Sequence, residues 1–264
     1  MLKLYLILLY YFSVTFNFNQ LDNNAFATQL KSFRNHLHQY PELSNQEFKT
    51  QEFIETSLKA IGITDINRVG TSLIACIKGS DSTHLPIAIR GDIDALPIHE
   101  NTNVAFESVV PGVMHACGHD VHSSWAFGCA SLLTSLHLKS DVYIIFQQAE
   151  ELATGALSII NQNGLPAQLK AIFSAHVDPR YNLGEVVHHE GAISAASHHF
   201  SITITGKSAH AARPNEGVNP IPVSSQIIEK INKINKEDGN NINFKTITQL
   251  NGGIQHNIIP DRVT

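Results

Sequence analysis

The stretch Met114-His115-Ala116-Cys117-Gly118-His119-Asp120-Val121-His122 puts a thiol, three imidazoles and a carboxylate next to one another, just ahead of an apolar run. A thiolate and a neutral imidazole two positions apart on a loop can face one ion, and that donor pair suits zinc-like metals. The competing reading is a polar loop that is merely histidine-rich, in a chain with 15 histidines among 264 residues. Three further clusters carry side chains capable of chemistry. In Arg90-Gly91-Asp92-Ile93-Asp94-Ala95-Leu96-Pro97 the carboxylates of Asp92 and Asp94 point the same way while the backbone stays extended. The alternative there is a capped turn leading into Pro97. In Phe146-Gln147-Gln148-Ala149-Glu150-Glu151 two adjacent carboxylates can divide labour, one holding a metal and one handling a proton, as metal-assisted hydrolysis requires. Taken alone, that pair reads rather as a solvated helix start. Ala175-His176-Val177-Asp178-Pro179 adds one imidazole, which alone reads as structural.

What makes the clusters count together is where the elements put them. Apolar residues at helical spacing predict helices over residues 27–38 and from Ser44 to Gly62, the second opened by Ser44 and Glu47 at capping-box spacing. Strands are predicted at 73–77, 85–89, 142–146 and from Ala171, with helices over 122–138 and 155–163 between them. Strands alternating with helices imply an α/β domain whose sheet is covered on both faces. Such sheets place function at the carboxyl ends of their strands, where all four clusters fall or nearly fall. Beyond residue 195 the pattern changes to an alternating strand at 200–206, a helix at 222–233, a polar linker at 235–241 and another strand at 244–250. That order suits a smaller two-layer domain. Cys, His, Glu and His converging on strand ends would serve one or two borderline metals.

Composition sets the outer limits. A hydrophobic share of 43% with 16% charged residues describes a globular chain. The net charge of −5, with no basic block, gives a nucleic-acid backbone nothing to bind. Three cysteines, Cys76, Cys117 and Cys129, are too few and too odd for a disulfide framework. Lys3, the apolar run at residues 4–16 and Ala25-Phe26-Ala27 follow the order of a secretory leader cleaved after Ala27, which favours a secreted or periplasmic protein over a cytoplasmic one. The apolar run is short for a stable membrane span.

The motifs together resemble the aminoacylase/carboxypeptidase-G superfamily of dinuclear metallohydrolases, in its amidohydrolase branch of hippurate hydrolases, N-acyl-amino-acid amidohydrolases and indoleacetyl-amino-acid hydrolases. Seven ordered segments carry the likeness: RNHLHQYPELS from Arg34, RGDIDALP from Arg90, MHACGHDVH from Met114, FQQAEE from Phe146, His176 with Pro179, GKSAHAARP from Gly206 and GGIQHNIIPD from Gly252. The resemblance implies a phosphorylase/hydrolase-like α/β catalytic domain over residues 28–194. Into it is inserted a smaller α+β, ferredoxin-like lid and dimerisation domain from residue 195 to 264, both incomplete. It implies two divalent ions (zinc, manganese, cobalt or nickel) with Cys117, His119, Glu151 and His176 as ligands. It implies attack by a metal-bound hydroxide on the amide of a small N-acyl amino acid. Glu150 would then be general base, Asp94 would orient a ligand imidazole, and His210 would stabilise the oxyanion, reaching across a homodimer. Asn257 would hold the substrate carboxylate, and His115, Asp120 and His122 would shape the loop. Gln148 stands where this branch has proline, a change expected to be harmless. The family's last histidine ligand and closing strands have no counterpart before Thr264, so a truncated relative acting only as a binding or dimerisation fragment is the rival expectation. A dipeptidase or exopeptidase of the same superfamily is the other.

Overall fold

Period-two alternation decides how the first part of the chain folds. Leu73 and Ala75, Ile87 and Ile89, and Ile144 and Phe146 join one buried cluster, while Ile74, Ala88 and Ile145 between them join another. Side chains alternate across a strand, so these segments must lie in a sheet with apolar layers on both faces. The computed structural model describes residues 23–193, 198–237 and 245–264. It divides the chain into two compact units, Met1–Val186 and Val187–Thr264.

The first unit is built on β1 (Ile66–Val69), β2 (Ser72–Ile77), β3 (Ile87–Asp92), β4 (Val142–Gln147) and β5 (Ala171–Ser174), in the order β1-β2-β4-β3-β5. β3 pairs parallel with β4 and β5, and β2 is antiparallel to β1 and β4. Parallel pairing brings the carboxyl ends of β3, β4 and β5 to one edge of the sheet. Helices α1 (Asn23–Gln39), α2 (Phe48–Ala60) and α3 (His119–Leu133) cover one face through Phe33, Leu37, Ile54, Leu58, Phe127 and Leu133. On the other face Ile159 of α4 (Gly155–Asn161) packs with Ile74, Ala88 and Ile145. The mixed α/β sheet is therefore covered on both faces.

Several boundaries differ from the sequence expectation. Among the described residues α1 runs from Asn23, so residues 23–27 of the expected leader are helical; residues 1–22 lie outside the described residues. α3 starts at His119, three residues before the expected start at His122, which moves His119 and Asp120 from a loop into a helical first turn. The Ser44–Glu47 capping box does not form: Glu47 is the N-cap residue without a side-chain cap bond, and both side chains have distant partners instead.

In the second unit, β6 (Ile204–Thr205) pairs antiparallel with β9 (Arg262–Val263), and β7 (Ala209–His210) with β8 (Ile258–Ile259). α5 (Ile221–Glu237) takes in the start of the expected linker, whose remainder lies outside the described residues. The expected strand at 200–206 shortens to two residues, and residues 245–250 are irregular. Alternation alone gave these segments a face but no neighbour to pair with. No helix among the described residues is long and apolar enough to cross a membrane.

Candidate metal centre

Gly118, left-handed at φ 85°, turns the chain from Cys117 into α3. A Cβ there would stand 2.4 Å from Val177 Cγ2, so both backbone and packing demand glycine. The turn delivers His119 into a buried position. Its Nδ1 lies 2.8 Å from the Asp94 carbonyl oxygen and 3.1 Å from Asp94 Oδ1. Both are acceptors, so Nδ1 carries the proton and donates.

His119 Nε2 points the other way, buried and without a hydrogen-bond partner among the described residues, and Glu151 Oε1 is orphaned in the same manner. Around Nε2 stand Glu150 Oε2 at 3.7 Å, Glu151 Oε1 at 3.7 Å and Asp92 Oδ1 at 3.8 Å, all too far for hydrogen bonds. The ligand atoms of Cys117, His119 and Glu151 all lie within 4.8 Å of one another. Cys117 Sγ is also 3.6 Å from His176 Nε2. Leaving a buried polar atom unpaired costs about 1–3 kcal/mol, so two of them facing each other need a reason. Two ligands of one tetrahedral zinc-like ion stand about 3.4–3.6 Å apart, close to the spacing here. The donor set of thiol, imidazole and carboxylate fits a divalent cation. Charge agrees. Burial opposes a charged His119, but Asp94, Cys117 and Asp92 outweigh it and push its pKa up to about 11. The pocket thus calls for positive charge beside Nε2.

Asp94 joins the two halves of this cluster. Its Oδ2 accepts from Ser44 Oγ at 2.7 Å and from the Glu151 backbone N–H at 3.1 Å, while its other oxygens take His119. Burial resists its charge, and the bonds from His119, Ser44 and Glu151 nevertheless lower its pKa.

The Glu150–Glu151 pair is presented by a strained turn. Ala149 and Ala153, on either side of it, both have positive φ, at 45° and 53°, which costs about 1–3 kcal/mol each. Glu47, fully buried, compensates by accepting from the Ala149 backbone N–H at 2.9 Å and from Thr71 Oγ1. Gln148 Oε1 accepts from the backbone N–H groups of Thr71 and Ser72, and its Nε2 donates to Asn45 Oδ1. Sequence reasoning missed Glu47 and undervalued Gln148. The only sequence signal for Glu47 was the capping spacing, which assigned it a local partner instead of these distant ones.

A second group, Asp92, His119 and His122, also has its ligand atoms within 4.8 Å of one another. Here the Asp92 and His122 atoms are already engaged. Asp92 Oδ1 accepts from His122 Nδ1 at 2.7 Å, Asp92 Oδ2 from Arg90 Nη1 at 2.6 Å, and His122 Nε2 from the Val177 N–H at 2.9 Å. Burial works against the Asp92 charge, yet His122, His119 and Arg90 hold its pKa down at about 2. Asp120 turns away to accept from Arg34 Nε at 2.6 Å and His38 Nδ1 at 2.9 Å, tying α1 to α3. His115 is buried, and burial lowers its pKa to about 4.

The first unit thus brings together Asp94, Cys117, His119, Glu150, Glu151 and His176. His210 and Asn257 belong to the second unit. They sit side by side there, with the Ala211 N–H donating to the Asn257 carbonyl and the Ala212 N–H to His210 Nδ1.

Residues 88–253 match the family described as Peptidase family M20/M25/M40. The chain is 40% identical over 246 residues to an N-acetylcysteine deacetylase of Bacillus subtilis, an alignment covering 91% of this chain and 64% of that protein. It is 33% identical to an N-acyl-L-amino acid amidohydrolase of Geobacillus stearothermophilus, covering 89% of this chain and 65% of the other. A crystal structure of a dinuclear metal-binding M20 peptidase from Bacillus subtilis superposes with a TM-score of 0.68 at 36% identity, covering 91% of this chain and 63% of that one. The chain spans less than two thirds of the length of each of these three proteins.

Proposed function

The chain belongs to peptidase family M20/M25/M40, and from that premise we propose that it serves a metal-dependent amidohydrolase that cleaves the amide bond of N-acyl amino acids. The observation that carries this reading is the pair of orphaned atoms, His119 Nε2 and Glu151 Oε1, facing each other beside Cys117. In the proposal Cys117, His119, Glu151 and His176 would hold two divalent ions, which would supply Lewis acidity toward the amide carbonyl and the attacking water when bound.

The Glu150 side chain is 40% exposed and, among the described residues, no hydrogen bond holds its carboxylate in place, so it can reach a proton on the attacking water. It takes that proton and passes it to the leaving amine nitrogen, the work of a general base that becomes a general acid. Asp94 fixes the His119 tautomer, so that Nε2 keeps its lone pair turned inward. His210 would stabilise the developing oxyanion and Asn257 would hold the substrate carboxylate, with the second unit also forming a homodimer contact. The relatives named above support N-acyl amino acids as the substrate class.

The test is hydrolysis of N-acetylcysteine and a panel of other N-acyl amino acids by protein loaded with zinc, manganese, cobalt or nickel. Free amino acid is the expected product. Glu150→Gln should slow its release by about 10²–10⁴-fold while metal content stays the same. Equal turnover by Glu150→Gln would remove Glu150 from the chemistry.

A further inference from the structure

The segment carrying His176 lies just past the end of the sheet. β5 stops at Ser174, so residues 175–178 have no ladder to hold them. Among the described residues, two polar contacts tie this segment back to the start of α3. One is the approach of His176 Nε2 to Cys117 Sγ; the other is the Val177 N–H bond to His122 Nε2. His176 itself is exposed. Its Nδ1 donates to the carbonyl of the adjacent Val177 at 2.7 Å, so whatever fixes Val177 also fixes the ring, and metal ligands need that kind of support.

His122 is chemically committed to giving it. Its Nδ1 faces a carboxylate oxygen of Asp92, which only accepts, and its Nε2 faces a backbone N–H, which only donates. A single form satisfies both: the neutral ring with its proton on Nδ1. That form has no lone pair left for an ion, which removes His122 from the ligand set even though its ring nitrogen stands among metal-type side chains. Two packing contacts reinforce the tether. The His122 and His176 rings lie 4.3 Å apart between centroids, and Val177 Cγ2 fills the space a Cβ on Gly118 would take.

We propose that His122 is a positioning residue for the metal centre: supported by Asp92, its Nε2 captures the Val177 N–H and so sets the neighbouring His176 imidazole against Cys117. The inference rests on the proposed role of His176 as a ligand.

Two substitutions separate this role from simple core packing. In His122→Asn the amide N–H keeps the bond to Asp92, but no atom reaches Val177. In His122→Gln the amide oxygen reaches the old Nε2 position and accepts from Val177, while Asp92 Oδ1 loses its donor. The measurement is titration of the 264-residue chain with Zn²⁺ alone against a competing chelator, with His176→Ala as reference and thermal unfolding of each metal-free protein alongside. His122→Asn should weaken the same zinc step that His176→Ala weakens, by about 10- to 100-fold, and His122→Gln should restore most of it. A packing role predicts the reverse order, because Gln is the variant that leaves the buried Asp92 Oδ1 without its His122 donor. The proposal is overturned if Asn binds zinc like the parent, or if Gln is as weak as Asn. Should His176→Ala itself leave every zinc step intact, the ligand role fails and this inference with it. If His176→Ala weakens a step and His122→Asn does not, this inference alone fails. Histidine ¹⁵N NMR of the parent protein covers the case of variants that do not fold. His122 should hold its proton on Nδ1 both without and with zinc, and a metal-shifted Nε2 would overturn the proposal.

Discussion

Two triads of metal-type side chains share His119 and sit in one corner of the first unit, yet they differ in what they lack. In Asp92–His119–His122 the Asp92 carboxylate and both His122 nitrogens are bonded, to each other, to Arg90 and to the Val177 N–H. In Cys117–His119–Glu151 an imidazole nitrogen and a carboxylate oxygen face each other unbonded. Residue type and proximity are nearly the same in both groups. Unsatisfied valence is what distinguishes a site that binds from a network that positions. His119 belongs to both because its two nitrogens have opposite duties: Nδ1 is anchored to Asp94, and Nε2 is left open.

The hardest blow to this distinction is a change at the shared residue. His119→Ala removes the open nitrogen, and zinc affinity measured by chelator competition should fall beyond the about 100-fold that losing a supporting residue costs. Asp94→Asn leaves the open atoms in place and disturbs only their anchor, so its loss should stay within about 10- to 100-fold. If His119→Ala held zinc as tightly as Asp94→Asn, the open triad would not be the binding side.

The closed triad should show itself in acid, with no metal involved. The Asp92 pKa is depressed from 3.8 to about 2 in the fold, so the unfolded chain binds its proton first as pH falls. The resulting stabilisation is fully present above about pH 4 and is lost as pH drops toward 2. Its size is about 2 kcal/mol. Urea unfolding of metal-free protein across that window should show the slope, and Asp92→Asn should flatten it. An unchanged slope in Asp92→Asn would assign the acid sensitivity to other carboxylates.

How much of this could be read in the sequence follows the same division. The strand ends were legible because apolar runs at 85–89 and 142–146 lead straight into acidic clusters, and a parallel sheet must gather those ends on one edge. β1 was not, since Ile66-Asn67-Arg68-Val69 is an edge strand with a polar, exposed middle. Ser44 and Glu47 fit a local capping pattern, but Asp94 and the Ala149 N–H claim them across the fold. Gln148 was expected to be a neutral replacement, yet it holds Thr71, Ser72 and Asn45 beside the glutamate pair. The difference between the triads was invisible for a related reason. It depends on which ring nitrogen meets a donor and which an acceptor, and only the folded backbone settles that.

The smallest expected effect probes how far the closed triad extends. Gly118→Ala forces a left-handed residue, costing about 1–2 kcal/mol, and also drives a Cβ to 2.4 Å from Val177 Cγ2. Val177 is 43% exposed, so Val177→Ala alone should cost no more than about 0.5 kcal/mol. In the double variant the colliding methyl is gone while the backbone strain remains. The two changes should then couple by about 0.5–1 kcal/mol, leaving the double variant more stable than the sum of its parts. Zinc binding should follow the same pattern, weakened by Gly118→Ala as Val177 is pushed off α3 and partly recovered when Val177→Ala is added. Strict additivity in both measurements would mean that Val177 does not lean on Gly118, and the closed network would then end at the ring of His122.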